Sequence, residues 1–217
     1  KEKNKSKHRK KESDKTTLVK IISKALRAHY EGNIPEATKC YQLCINNGVN
    51  DERVLINYGL ICQQNNKAEK AKHLYNKAIK LYPNNAIIYS NLASIYQKEG
   101  NLKEAEVLLK KSIKLKPDFD DAYSNLGIVL KELGRLEESE LSLRKAIELN
   151  PNLSNAHLNL SLVIKEQGKT RQAEEYIRKA IELNPDSAKS HYNLGNILRD
   201  LEKEEEAEKS FRIAINL

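Results

Sequence analysis

Asparagine recurs at one constant interval along the chain: Asn57, Asn91, Asn125, Asn159 and Asn193. A carboxamide carries both donors and an acceptor, so a row of them can pair with the backbone of an extended polypeptide without reading its side chains. The same residues could equally cap or bridge within their own repeats. Both readings stay open at the level of sequence. Six residues after four of these asparagines stand Gln97, Lys131, Lys165 and Arg199. Their modest basic trend favours an acidic or neutral ligand over a basic one. His157 and His191 are separated by the same interval. They share a slot with Tyr89 and Tyr123 and have no Cys or carboxylate beside them in register, so they read as packing rings rather than metal ligands. Cys40, Cys44 and Cys62 form no redox or zinc spacing and read as reduced thiols in packing slots. No nucleophile–base set or phosphate-cradling glycine loop appears. The chemistry on offer is therefore binding, with no catalytic residue, metal or other cofactor expected in this stretch of chain.

The elements that must hold the asparagines repeat with them. Residues 86–119 place Tyr89, Leu92, Ala93, Tyr96, Gly100, Ala105, Leu109, Ser112 and Pro117 at fixed offsets. One interval further on, those slots are refilled with Tyr123, Leu126, Gly127, Leu130, Gly134, Ser139, Leu143, Ala146 and Pro151. Tyr89, Leu92 and Tyr96 lie on one face of a first helix. Ala105, Leu109 and Ser112 do the same on a second. Glycine between the two helices suits a left-handed helix stop, with Asn66 and Glu202 standing in that slot in two repeats. Glu202 breaks the pattern and argues against the last such turn. Small residues at the slots of Ala93, Ala105 and Ser112 let two antiparallel helices approach closely.

This pattern resembles the tetratricopeptide repeat (TPR), a helix–turn–helix unit of about 34 residues. The resemblance covers residues 18–217. It implies an all-α fold, an α-solenoid in which six helix pairs wind into a right-handed superhelix. It also implies that the asparagine slot lines the concave groove. The ladder is similar to that of the TPR arm of O-linked N-acetylglucosamine transferases. By that resemblance the groove-lining set is Asn57, Asn91, Asn125, Asn159 and Asn193 with Gln97, Lys131, Lys165 and Arg199, and the middle three asparagines Asn91, Asn125 and Asn159 are the best supported.

The register runs without slippage through repeats 18–51, 52–85, 86–119, 120–153, 154–187 and 188–217, the last incomplete. The first is the most degenerate and reads as a cap. Residues 1–17 carry eight Lys or Arg against three Asp or Glu and no apolar side chain, so a disordered basic tail is expected. The rest of the chain is close to neutral. Nucleic acid is therefore not an expected partner, except weakly and salt-dependently through that tail. No apolar run reaches the length of a membrane span, and a cytoplasmic setting is expected. The regular RKAIELNP segments look like those of bacterial arrays.

These features point to an interaction module that binds a protein or peptide in its groove. The alternative is the recruiting arm of a larger enzyme, a transferase or oxygenase, with a catalytic domain beyond Leu217. The packing slots of Phe211 and Ile215 have no polar cover in the sequence, so self-association through the last repeat is a further expectation.

Overall fold

The structure, a computed structural model, describes residues 17–217. The expected tail falls almost entirely outside the described residues. Among those described there are twelve α-helices and no strand. Helix α1 covers residues 17–30. The others are α2 (Ile34–Asn46), α3 (Glu52–Gln64), α4 (Ala68–Leu81), α5 (Ala86–Lys98), α6 (Leu102–Leu115), α7 (Asp120–Glu132), α8 (Leu136–Leu149), α9 (Ser154–Glu166), α10 (Thr170–Leu183), α11 (Ala188–Asp200) and α12 (Glu204–Asn216). From α3 onward the odd-numbered helices begin at a constant spacing of one repeat, as the recurring slots require.

Each turn from an odd to an even helix closes in the same way. One residue takes a left-handed conformation: Gly32, Asn66, Gly100, Gly134, Gly168 or Glu202, with φ between 57° and 81°. The next residue then donates its N–H to a carbonyl five residues back, as in Arg135 N to Leu130 O and Lys203 N to Leu198 O, both 2.9 Å. This is the Schellman arrangement, which satisfies carbonyls that the helix end would otherwise leave orphaned. Glu202 thus makes the turn that its residue type argued against, at a backbone cost that glycine would not bear. Helices α4, α6, α8 and α10 each stop two residues before a proline. The intervening residues, Tyr82, Lys116, Asn150 and Asn184, have ψ of 63–92°, outside the helical region, as a following proline demands.

The chain divides into two compact units, one ending at Ile95 and one spanning Tyr96–Leu217. In the first, Tyr41, Leu55, Ile61, Leu74 and Tyr75 are fully enclosed. Cys40, Cys44 and Cys62 are buried and unpaired with one another, and burial pushes all three thiols up from their ordinary range. They fill space rather than do chemistry, as expected of apolar-slot cysteines. Gly59 sits so close to Tyr75 that a β-carbon there would lie 2.5 Å from the ring.

In the second unit α7 pairs with α8, α9 with α10 and α11 with α12, and each pair stacks on the next. Leu143, Leu160, Val163, Ile164, Ile177, Leu194 and Ile197 form one continuous apolar seam. Small residues hold the helices close: Gly127 faces Leu143, and the Ser139 hydroxyl donates to the Gly127 carbonyl at 2.6 Å. No helix of the described residues is long and apolar enough to cross a membrane.

Candidate polypeptide-binding face

The odd-numbered helices carry the asparagine ladder at matching positions, but its members do different things. In the first unit Asn57 on α3 donates from Nδ2 to the Tyr41 hydroxyl at 3.3 Å. Asn91 on α5 is hydrogen-bonded to Tyr75. Tyr41 and Tyr75 stand one repeat apart, each at the same distance ahead of its asparagine. Burial pushes both phenols up from their ordinary range, and the asparagine hydrogen bond works against that shift. Here the amides satisfy buried hydroxyls of the preceding repeat, a structural role between repeats rather than the bridging within a repeat considered from the sequence.

In the second unit the tyrosine slot is Leu109, Leu143 and Ile177, and no hydroxyl is available. Asn125 is partly buried on α7. Asn159 on α9 is nine-tenths buried, at 9% exposure, yet no protein group among the described residues is hydrogen-bonded to its amide, which still reaches solvent. Asn193 donates back to the Lys189 carbonyl of its own helix at 2.8 Å. An amide that reaches solvent is satisfied by water, and its donors and acceptor can be taken over by a ligand backbone.

The flanking slots are tied into rungs between successive odd helices. Gln97 Nε2 donates to Glu132 Oε1 at 2.8 Å, Lys131 Nζ to Glu166 Oε1 at 3.1 Å, and Lys165 Nζ pairs with Asp200 Oδ2 at 2.8 Å. Each rung spans one repeat and one further position. Glu132 and Glu166 also lie two helical turns after Asn125 and Asn159, on the same face. The basic trend read from Lys131 and Lys165 is therefore matched by an acidic row. Arg199 breaks the series and, among the described residues, donates to Asn196, 3.2 Å away on its own helix.

A second charged row lies along the even helices. Glu106, Glu140 and Glu174 recur once per repeat, with side chains only 13–17% exposed. Each is held by a base four residues on, Lys110, Arg144 or Arg178. Each is also held by a base from the following turn: Arg135 at 2.8 Å, Lys169 at 3.6 Å and Lys203 at 2.8 Å. The hydrogen bonds from Lys110 and Arg135 hold the Glu106 carboxyl below the usual carboxylate range. At Glu140 and Glu174 burial pushes upward most strongly, but the hydrogen bonds and bases together outweigh it and both end lowered. The single charges look like ordinary solvated surface in sequence. Their shared place in successive repeats is the signal that marks them as linked.

The histidines are packing rings. His157 Nε2 and His191 Nε2 each lie 2.9 Å from a proline carbonyl, Pro151 and Pro185, as the Tyr89 hydroxyl lies 3.0 Å from that of Pro83. A carbonyl only accepts, so both rings carry the proton on Nε2. No grouping of His, Cys, Asp and Glu able to hold a metal occurs among the described residues.

A family model described as the C-terminal domain of cilia and flagella-associated protein 70 matches residues 4–217. The chain belongs to that family. No curated protein matches the sequence. Among solved structures it is similar to Pseudomonas aeruginosa pilF, with 26% identity over 76% of this chain and 75% of that one and a TM-score of 0.71. It is also similar to YrrB, described as a TPR protein with an unusual peptide-binding site, at 25% identity over 83% of this chain and 93% of that one, TM-score 0.60. A TPR protein from Parabacteroides merdae shares the fold at 19% identity, with coverage of 93% and 80% and a TM-score of 0.72. The chain is an all-α TPR array, and a TPR array is in general a protein–protein interaction module.

Proposed function

We propose that the odd-helix face of the second unit binds an extended polypeptide through backbone hydrogen bonds to its asparagines, with Asn159 at the centre and no catalysis in this stretch of chain. The observation that carries the reading is Asn159, 9% exposed as a residue, whose amide reaches solvent and has no hydrogen-bond partner among the described residues. Such a group gains about 0.5–1.5 kcal/mol per hydrogen bond when a ligand amide reaches it. Asn125 and Asn193 extend the row by one repeat on either side. The description of YrrB as a peptide binder supports the same use of the fold. The family's name suggests a partner in a cilium or flagellum.

The test separates binding from folding. Peptides selected from a random displayed library against the whole chain are measured on Asn159→Ala and on Asn125→Ala/Asn159→Ala. The double variant is expected to lose about tenfold or more in affinity, with melting unchanged. By contrast, Asn91→Ala removes a hydrogen bond from the buried Tyr75 hydroxyl and is expected to cost about 1 kcal/mol of stability. Selected peptides that bind both Asn variants undiminished would refute the asparagine face as the site.

A further inference from the structure

Two large apolar side chains of the second unit stand in solvent, in a slot that is polar elsewhere. Val107 on α6 and Leu141 on α8 lie one repeat apart and are 67% and 68% exposed. The same slot holds Lys39, His73, Glu175 and Lys209 in the other repeats, so the fold does not ask for an apolar residue there. Valine is also a poorer helix former than lysine or glutamate. Exposed apolar residues scattered singly need no explanation, whereas two in the same slot of adjacent repeats form a patch. The two helices are tied together at this level. Glu106, next to Val107, pairs with Arg135 at 2.8 Å, and Arg135 pairs in turn with Glu138 on α8.

The charges that flank the pair have opposite signs on the two helices. On α6, Lys103 and Lys114 lie one turn before and two turns after Val107, on the same face. On α8 the same three slots are Glu137, Leu141 and Glu148. No other repeat sets like charges on both sides of an apolar residue in these slots. Among the described residues, Lys103, Lys114 and Glu137 hold no ion pair, and Glu148 pairs with Lys145 of its own helix alone, at 2.7 Å. The edges of the two ridges carry Glu104 and Lys111 on α6 and Glu138 and Lys145 on α8. With these included, the α6 ridge stays basic and the α8 ridge acidic.

We infer that this face docks a second copy of the chain, with α6 of each copy lying on α8 of the other. As equivalent helices of successive repeats, α6 and α8 run in the same sense. A two-fold axis along them, midway between the two, therefore lays Lys103, Val107 and Lys114 against Glu137, Leu141 and Glu148 of the partner subunit. The same contacts recur by symmetry on the other side, as an isologous interface requires. Charge decides the occupant. Each ridge is the complement of the other in sign, and both apolar centres fall at the same level. The asparagine face stays free in such a pair, because the asparagines lie on the odd-numbered helices.

The test is the oligomeric state of the whole chain. Sedimentation equilibrium from about 10 µM to about 1 mM is expected to show a reversible monomer–dimer equilibrium, as suits a contact smaller than the roughly 1,200 Å² of a standard interface. Lys103→Glu/Lys114→Glu makes both ridges acidic, and Glu137→Lys/Glu148→Lys makes both basic. Each double variant is expected to dimerise about tenfold more weakly or less, with melting nearly unchanged because all four side chains are exposed. An equimolar mixture of the two variants is expected to recover the wild-type affinity as a heterodimer. A dimer that neither double variant weakens would lie on another face and would overturn the inference, as would a mixture that stays monomeric. So would a wild-type chain that is monomeric up to about 1 mM. Binding of a labelled Glu- and Leu-rich helical peptide to that monomer, lost on Lys103→Glu/Lys114→Glu, would assign the face to a foreign acidic helix instead.

Discussion

Gly127→Ala is expected to destabilise the second unit although it adds helix propensity. Alanine in a helix interior is worth about 1 kcal/mol over glycine. Against this, a β-carbon at Gly127 would lie 2.5 Å from Leu143 Cγ and 2.9 and 3.2 Å from its two methyls. Cγ is the branch point, so no rotation of χ2 clears it, and Leu143 is fully buried with no room to retreat. Overpacking of this kind costs about 1–3 kcal/mol. Moving α7 from α8 instead would stretch the Ser139–Gly127 hydrogen bond, 2.6 Å long and worth about 1 kcal/mol. The balance is a net loss of about 1–2 kcal/mol, read as a lower urea midpoint and faster amide exchange in α7 and α8. Gly195→Ala is the control. Its β-carbon would meet Phe211 Cε1 at 2.5 Å, but Phe211 is only partly buried and lines a surface recess with Tyr192 and Ile215 into which its ring can swing, so the change should be near neutral. Ser161 in the same slot opposite Ile177 shows that a β-carbon is tolerated where the helix spacing is set for one. A Gly127→Ala chain as stable as the wild type would refute the close-approach argument.

Two further outcomes follow from named contacts. Glu106, Glu140 and Glu174 titrate lower in the folded chain than the ordinary value of about 4.3. The folded state therefore holds fewer protons, its stabilisation is complete above about pH 4.3, and it is lost as pH falls through the depressed values. Urea midpoints measured from pH 7 down to pH 3 should show this loss. Glu174→Gln should lower the midpoint at pH 7 and flatten the slope, and an unaltered slope would mean the clamp contributes nothing. Glu202→Gly should raise stability by about 1 kcal/mol, because Glu202 holds φ at 59° and glycine takes that region without steric cost. A lower melting temperature would show that the Glu202 side chain matters more than its backbone.

What the sequence made legible was whatever the backbone dictates. Gly100, Gly134 and Gly168 mark left-handed stops, Pro117, Pro151 and Pro185 mark helix ends, and between them the apolar slots recur at helical spacing. Glu202 misleads at this level, because the backbone closes the same hydrogen-bonded turn there, Lys203 N to Leu198 O at 2.9 Å, with a non-glycine residue at φ 59°. The asparagine ladder was visible as a row, but its meaning was not. Whether Asn57 or Asn159 has an internal partner depends on the residue in the slot of Tyr41, a tyrosine in one case and Leu143 in the other. That relation appears only when one repeat is laid against the next. The paired charges were hidden for the same reason, since each alone resembles a solvated side chain.

The rungs bear on how the asparagine face can choose a ligand. Lys131 and Lys165 are not idle cations, for each already holds a carboxylate of the next repeat. Those pairs are half open to water, with side-chain exposures of 26% and 48% for Lys131 and Glu166 and of 28% and 40% for Lys165 and Asp200. Pairs that exposed are worth about 0.2–1 kcal/mol. A hydrogen bond to a charged group made within a bound complex is worth about 1.5–3 kcal/mol. A ligand carboxylate placed beside Asn159 could therefore draw Lys131 or Lys165 away from its rung at a net gain. A neutral ligand would leave the rungs closed and meet a face of balanced charge, and a basic ligand would have to pull Glu166 or Asp200 away instead. Lys131 and Lys165 are the more enclosed members and reach solvent less than Glu166 and Asp200 do. The acidic rail is thus the more accessible one, and a basic ligand would engage it with less rearrangement than the lysine row alone suggests. Selectivity on this face then comes from which partner of a rung the ligand displaces, while the asparagine amides fix where its backbone lies.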